Sequence, residues 1–196
     1  MPGESGGKRL QKPRERGLYD WMQPLLCAIV AAVVFCMFFV RVVRVDGESM
    51  RETLQDGDLL AVVNGWFCPE YTRSDIVIIR EKTLRDGSPI VKRVIATGGE
   101  TVDIDCVTGE VRIDGTGLVE PYIRELTTTP EGMQFPVTVP ENNLFVMGDN
   151  RNDSGDSRDP ELGFVDTRSV IGKAVFLLFP SGAGGTDRLS RFQILA

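Results

Sequence analysis

The sequence predicts a mostly-β domain carried on one N-terminal transmembrane helix. Three observations lead there. Trp21 to Val40 (WMQPLLCAIVAAVVFCMFFV) is a 20-residue segment without a charge; as a helix rising about 1.5 Å per residue it spans about 30 Å, the thickness of a bilayer's hydrocarbon core. Beyond it the apolar runs are short and β-branched, the habit of strands rather than of a helical bundle. Glycine (21) and proline (11) supply many turns within 196 residues, a length sufficient for one domain with a real core.

The elements follow in chain order. Residues 1–20 form a basic tail whose first 17 residues (MPGESGGKRLQKPRERG) are polar and glycine-rich, the composition of a disordered segment. Lys8, Arg9, Lys12, Arg14 and Arg16 outweigh Glu4, Glu15 and Asp20 for a net +2, so the rest of the chain holds −8 of the total −6. An acidic body of this kind excludes nucleic acid as the expected partner.

Residues 21–41 read as a signal-anchor helix. Pro24 falls in its first turns, where proline is tolerated best. No small-x-small cleavage site follows Val40, which separates the segment from a removable signal peptide, and the lack of a polar face separates it from a buried core helix. Five basic residues precede the span, against Arg41 and Arg44 after it. That bias puts the tail in the cytoplasm and residues 42–196 outside, as a single-pass protein of the cell membrane.

The strand signals come next: Asp58–Asn64, Asp75–Arg80, Ile90–Thr97, Thr101–Cys106, Val111–Ile113, Val137–Val139, Leu144–Met147 and Val170–Phe179. Asp114-Gly115 marks a hairpin turn. No internal repeat and no further amphipathic helix stand out. The aromatic pair Trp66-Phe67 suits either a membrane-interface anchor or the domain core.

The chain contains no histidine, which excludes Ser-His-Asp and Cys-His catalysis and the usual zinc sites. Of four cysteines, Cys27 and Cys36 lie in the apolar segment, while Cys68 and Cys106 are isolated and read equally as a disulfide or as two thiols. A serine such as Ser49, in "VDGESMRETL", could be a nucleophile only if some other group took its proton. The bases left are Asp, Glu, Tyr and Lys, and a lysine serves only when neutral, which burial favours.

Among Lys82, Lys92 and Lys173, Lys92 sits mid-strand in "PIVKRVIATGG". Period-2 alternation puts it on the face of Ile90 and Val94, with Val91, Arg93 and Ile95 opposite. Lys173 is also mid-strand, so the pattern alone leaves both open, as it leaves open a solvated edge-strand lysine.

The densest polar stretch is "VMGDNRNDSGDSRDPE", residues 146 to 161. As a calcium loop beginning at Asn150 it has asparagine where aspartate belongs, Arg158 at the ninth position, Pro160 at the exit and a strand instead of a helix before it. The alternative is a carboxylate–arginine network that holds a loop rigid beside a site.

Taken in order, the basic tail, the span, "GESMRETL", "GDLL", "SDIVIIR", "IVKRVIATGGE", "EPYI", "VPENNLFVMGDNRNDSGDSR", "GFV" and "IGKAVFLLFP" resemble the type I signal peptidases of the shorter Gram-positive kind. The resemblance implies their complex β-fold, a Ser-Lys dyad with Ser49 as nucleophile and Lys92 as general base, and no metal or cofactor. It further implies that Ser154 orients the lysine, and that Asp149 with Arg93 and Asp156 with Arg158 are supporting pairs. Met50 and Leu54, with Val91, would border the pockets for small substrate side chains. Gly47 stands where some relatives carry a serine that helps the oxyanion hole, Glu52 where many carry proline, and Asn152-Asp153 reverses the usual order.

The implied substrates are secretory precursors bearing signal peptides, met at the lipid bilayer by a monomer. Two other classes are weighed against this. A self-cleaving repressor with a related Ser-Lys fold would carry a DNA-binding domain in place of the span. A non-catalytic membrane-anchored β-domain, binding calcium or a protein partner, would leave Ser49 and Lys92 without a task.

Overall fold

The computed structural model describes residues 18–80, 87–181, 191, 194 and 195. The basic tail up to residue 17 and Lys82 lie outside them. Helix α1 runs Leu18–Phe39 with Pro24 near its start, and its large apolar side chains from Trp21 to Phe38 are exposed. It ends two residues short of the Arg41 boundary expected from hydropathy, because Val40 and Arg41 already belong to strand β1 (Val40–Arg44). The chain divides into a compact unit up to Met37 and a second one from Phe38 onward.

The second unit is mostly β, as the sequence predicts. Its larger sheet has seven antiparallel strands in the order β1-β2-β11-β3-β4-β9-β10. These are β1, β2 (Leu59–Asn64), β11 (Val170–Phe179), β3 (Ile76–Ile79), β4 (Ile90–Thr97), β9 (Asn143–Met147) and β10 (Val165–Asp166). A second sheet pairs β7 (Thr116–Gly117), β6 (Glu110–Ile113), β5 (Thr101–Asp105) and β8 (Val137–Thr138) in that order.

The sequence of β3, IVII, lacks alternation because both of its faces are covered. Ile76 and Ile78 join a core with Met50, Leu54, Leu60 and Val91. Val77 and Ile79 join another with Val94, Val146 and Val165. Strand β4 shows its two faces in the same way: Val91 belongs to the first core, whereas Ile90 and Val94 pack with the second. A third core fills the space under the small sheet, with Ile104, Val111 and Phe145. Lys92 therefore shares a face with Ile90 and Val94, the alternation read from the sequence, and sits opposite Val77 of β3.

Trp66 is 92% exposed, so the core reading of the aromatic pair fails for it. Cys68 and Cys106 are both free thiols.

Candidate active site

Ser49 is presented by the turn that follows β1. Val45, Met50 and Leu54 are buried in the first core, and Leu54 N–H closes the turn on the Met50 carbonyl at 2.8 Å. Pinned on both sides by these apolar side chains, the turn leaves Ser49 between core and solvent. Gly47 takes φ +95°, a left-handed conformation that favours glycine, and its N–H donates to Asp56 Oδ1 at 2.9 Å. From the opposite loop, Asn150 N–H donates to the Ser49 carbonyl at 3.0 Å and Asn150 Nδ2 to the Glu48 carbonyl at 3.2 Å. Among the described residues, neither the Ser49 N–H nor its hydroxyl has a hydrogen-bond partner.

Lys92 comes to the same place from β4. A cleft of about 100 Å³ is lined by Asp46, Ser49, Ile90, Val91, Lys92 and Leu162, among others. Only 3% of Lys92 is exposed, and its Nζ donates to Ser154 Oγ at 2.9 Å. The Ser154 hydroxyl in turn donates to Asp156 Oδ2 at 2.9 Å, so its single proton is committed and a lone pair faces the lysine. Asp156 is held by the guanidinium of Arg158, with Nε to Oδ1 and NH2 to Oδ2 both 2.8 Å. Gly148 N–H adds a further bond to Asp156 Oδ2 at 3.0 Å.

Lys173, which periodicity could not separate from Lys92, is bound instead to the carboxylate of Asp75 at 2.7 Å. The neighbour of Lys92, Arg93, grips Asp149 through Nε at 2.8 Å and NH2 at 2.7 Å. Thr53 Oγ1 donates to the same carboxylate at 2.5 Å. Arg93 lies 3.9 Å over the ring of Tyr122, whose hydroxyl is pushed up to about 12, chiefly by burial. The Asp149 carboxylate thus ties the Ser49 turn, strand β4 and the 148–158 loop together. Two of the expected supports, Asp149–Arg93 and Asp156–Arg158, are in place as buried ion pairs.

Gly148 is where these parts come closest. A Cβ there would lie 2.2 Å from Ser154 Oγ and 2.4 Å from the Ser49 carbonyl, inside any allowed contact, so only glycine lets the two loops meet.

The comparisons with known proteins agree on one family. A family model described as signal peptidase, peptidase S26, matches residues 18–179. A signal peptidase I of Bacillus licheniformis is 36% identical over 177 residues, 85% of this chain and 91% of the relative. The chain belongs to the signal peptidase family, peptidase S26. A probable signal peptidase I-1 of Synechocystis is 37% identical over 83% of each chain. Signal peptidase I T of Bacillus subtilis is 34% identical over 88% of this chain and 91% of its own. A crystal structure of a signal peptidase I from Enterococcus faecalis aligns with 53% of this chain and 96% of that one, at 34% identity and a TM-score of 0.44.

Not every expected pocket residue of this signal peptidase reaches the cleft. Val91 lines it, whereas Met50 and Leu54 are fully buried in the core behind it and Gly47 is turned toward Asp56. Conversely, Asp46 lies in the cleft wall, and sequence reasoning gave it no role.

A strap that runs from β7 to β8 and binds the 148–158 loop was also missed. Glu120 binds Arg151 through both of its oxygens, Arg151 NH1 also donates to Thr127 Oγ1 at 3.0 Å, and Asn152 Oδ1 accepts from Thr128 N–H at 3.0 Å. Arg158 NH1 reaches the Thr129 carbonyl at 2.8 Å, and Met133 N–H donates to the Arg158 carbonyl at 3.0 Å. Asn152, the residue at the reversed Asn-Asp pair, is therefore an anchor for this strap.

Glu131 ends the network. Its Oε1 lies 3.3 Å from Arg158, while its buried Oε2 has no hydrogen-bond partner among the described residues. Burial, reinforced by the nearby charge of Asp156, pushes its carboxyl from 4.5 up to about 7. A raised carboxyl pKa means that the folded state holds the proton longer than the unfolded one. The contribution of Glu131 to stability therefore falls as pH rises from about 4.5 to about 7 and stays lower above. Glu131→Gln removes the charge at equal shape and is expected to gain about 1–2 kcal/mol above pH 7 after allowance for solvent screening, with the gain vanishing near pH 5. Thermal melts of the full chain at both ends of that range check this. A difference between the variants that did not change with pH would refute it.

Proposed function

We propose that this chain removes signal peptides from secretory precursors, with Ser49 as the nucleophile and Lys92 as its general base. The observation that carries the reading is the placement in one cleft of a buried lysine and a serine hydroxyl with no hydrogen-bond partner among the described residues, in a chain without histidine. A neutral amine has two N–H bonds and one lone pair. Donation of one N–H to Ser154 leaves the lone pair to accept the Ser49 proton. Burial disfavours the ammonium form, which is the condition a lysine base needs.

In the forward step Ser49 Oγ attacks the scissile carbonyl carbon and Lys92 takes its proton. The oxyanion is met by the Ser49 N–H, which has no other acceptor among the described residues. Lys92 then protonates the departing amine, and the acyl-enzyme is released by water through the same lysine. Small residues before the cut suit a cleft of about 100 Å³, and the substrate segment adds as an extended strand beside Ile90 and Val91. No step needs a cofactor.

Helix α1 serves as the membrane span, with the tail (residues 1–20) cytoplasmic and residues 42–196 outside, the protein acting as a monomer. This keeps the protease at the bilayer surface, where its substrates emerge. The calcium-binding alternative finds no support in the loop, since Asn152 Oδ1 accepts from Thr128 N–H, the Ser154 hydroxyl is engaged with Asp156, and Asp156 is paired with Arg158.

The test is precursor cleavage by the full chain in detergent, followed against pH. We expect cutting after a small-x-small segment, indifferent to metal chelators, with a rate that declines toward acid as Lys92 gains a proton. A rate that stayed flat well into acid would require a different base.

A further inference from the structure

Away from the Ser49 cleft, a second opening of about 410 Å³ is lined by Arg41, Trp66, Arg80, Arg168 and Val170, among others. No carboxylate is part of its wall, although the chain after residue 20 carries a net −8. Among the described residues, Arg41 and Arg80 have no ion-pair partner. Arg168 is paired with Asp166 through Nε at 2.9 Å and through NH2, which leaves its NH1 available. The uncompensated charges of Arg41 and Arg80 at one opening, beside the unengaged NH1 of Arg168, suit an anion, and the planar fork of arginine matches a phosphate by two parallel bonds.

Two further observations say which phosphate is at hand. Arg41 follows the last residue of α1, Phe39, by two positions. Phe67 places its ring 4.1 Å from that of Phe39, and its neighbour Trp66 is 92% exposed. A tryptophan held in water at that exposure is favoured at the level of lipid headgroups, where one part of the ring is apolar and the N–H stays wet. Arginine directly after the span also works against the orientation bias unless anionic lipid offsets it.

We propose that the opening bordered by Arg41, Arg80 and Arg168 is a binding site for the phosphate of an anionic phospholipid headgroup, with Trp66 inserted beside it. The inference rests on the reading of α1 as a membrane span, and it is independent of the Ser49 chemistry. Its effect would be to set how the cleft-bearing domain sits on the membrane, and so which precursors reach Ser49.

The test uses the full chain with Trp21→Phe, which leaves Trp66 as the sole tryptophan, in phosphatidylcholine vesicles. Brominated phosphatidylglycerol at low mole fraction is expected to quench Trp66 several times more strongly than brominated phosphatidylcholine at the same fraction. Arg41→Gln with Arg80→Gln should remove the preference, bringing the several-fold ratio close to one. Both positions are exposed and outside the Ser49 cleft, so precursor cleavage in detergent should be unchanged.

Equal quenching by the two lipids overturns the site. So does a preference that survives the double variant, or one abolished by millimolar glycerol phosphate, which would identify a soluble phosphate as the occupant. The readouts keep the two readings apart: loss of the protein from carbonate-washed vesicles would sink the span, and absent precursor cleavage would sink only the Ser49 mechanism.

Discussion

Ser49→Ala and Lys92→Ala are each expected to lower precursor processing by roughly 10⁴–10⁶-fold while leaving the domain folded. That is the loss seen when a nucleophile or its base is removed from a unit that acts only together, and the double variant should be little worse than either. Folding should survive because the Ser49 turn is held by its backbone and by apolar side chains, and the 148–158 loop keeps its Asp149–Arg93 and Asp156–Arg158 pairs without the Lys92–Ser154 bond. Ser49 makes no side-chain hydrogen bond among the described residues, and its carbonyl, which accepts from Asn150, is retained in alanine. Lys92 is more deeply placed, so its removal opens a small cavity. Lys92→Met keeps the volume and separates loss of the amine from loss of packing. The measurements are cleavage of a precursor and a thermal melt on the same preparations. Activity within tenfold of the parent in either variant, with the melt unchanged, would remove that residue from the mechanism.

How much of this was legible in the sequence depends on the range of the interaction. Strands β4 and β11 were bounded to the residue because their apolar runs are long and end at turn residues. Strand β1 was missed because Val40–Arg44 follows the apolar segment with no turn residue between them, and what makes it a strand is pairing with β2. Strands β7 and β10 have two residues each and exist only through their partners.

The site shows the same division. The absence of histidine left lysine among the candidate bases for Ser49, but the pattern did not choose between Lys92 and Lys173, and only the family resemblance did. The structure shows the difference as Ser154 for one and Asp75 for the other. Glu120 and Glu131 lie 31 and 27 positions from their arginines, in a segment with neither period, so nothing local announces them. Gly148 was visible as a motif letter, but its reason is the approach of two loops about a hundred residues apart in sequence.

Replacing Asp156 should be the most damaging change outside the dyad. Its carboxylate is fully buried and serves three groups at once: the Arg158 guanidinium, the Ser154 hydroxyl and the Gly148 N–H. Asp156→Ala leaves Arg158, itself 0% exposed, without its principal counter-charge. Breaking one half of a buried pair costs about 3–5 kcal/mol, and Glu131 at 3.3 Å is placed to recover only part of it. The melting temperature of this variant should fall sharply.

Asp156→Asn distinguishes stability from chemistry. The amide keeps the shape and one acceptor, so the fold should be retained at a smaller cost, but it offers one oxygen where Arg158, Ser154 and Gly148 now draw on two. The Ser154 hydroxyl then loses its fixed direction, and with it the lone pair presented to Lys92. Processing should drop by roughly 10²-fold, the scale of losing orientation in a positioned acid–base group. The rate-against-pH curve should move as well, because the lysine loses a carboxylate behind its hydrogen-bond partner. A negative charge at that distance favours the ammonium, so its removal should shift the acid limb to lower pH. A purely structural role would lower the rate without moving the limb, and that result would take Asp156 out of the Lys92 relay.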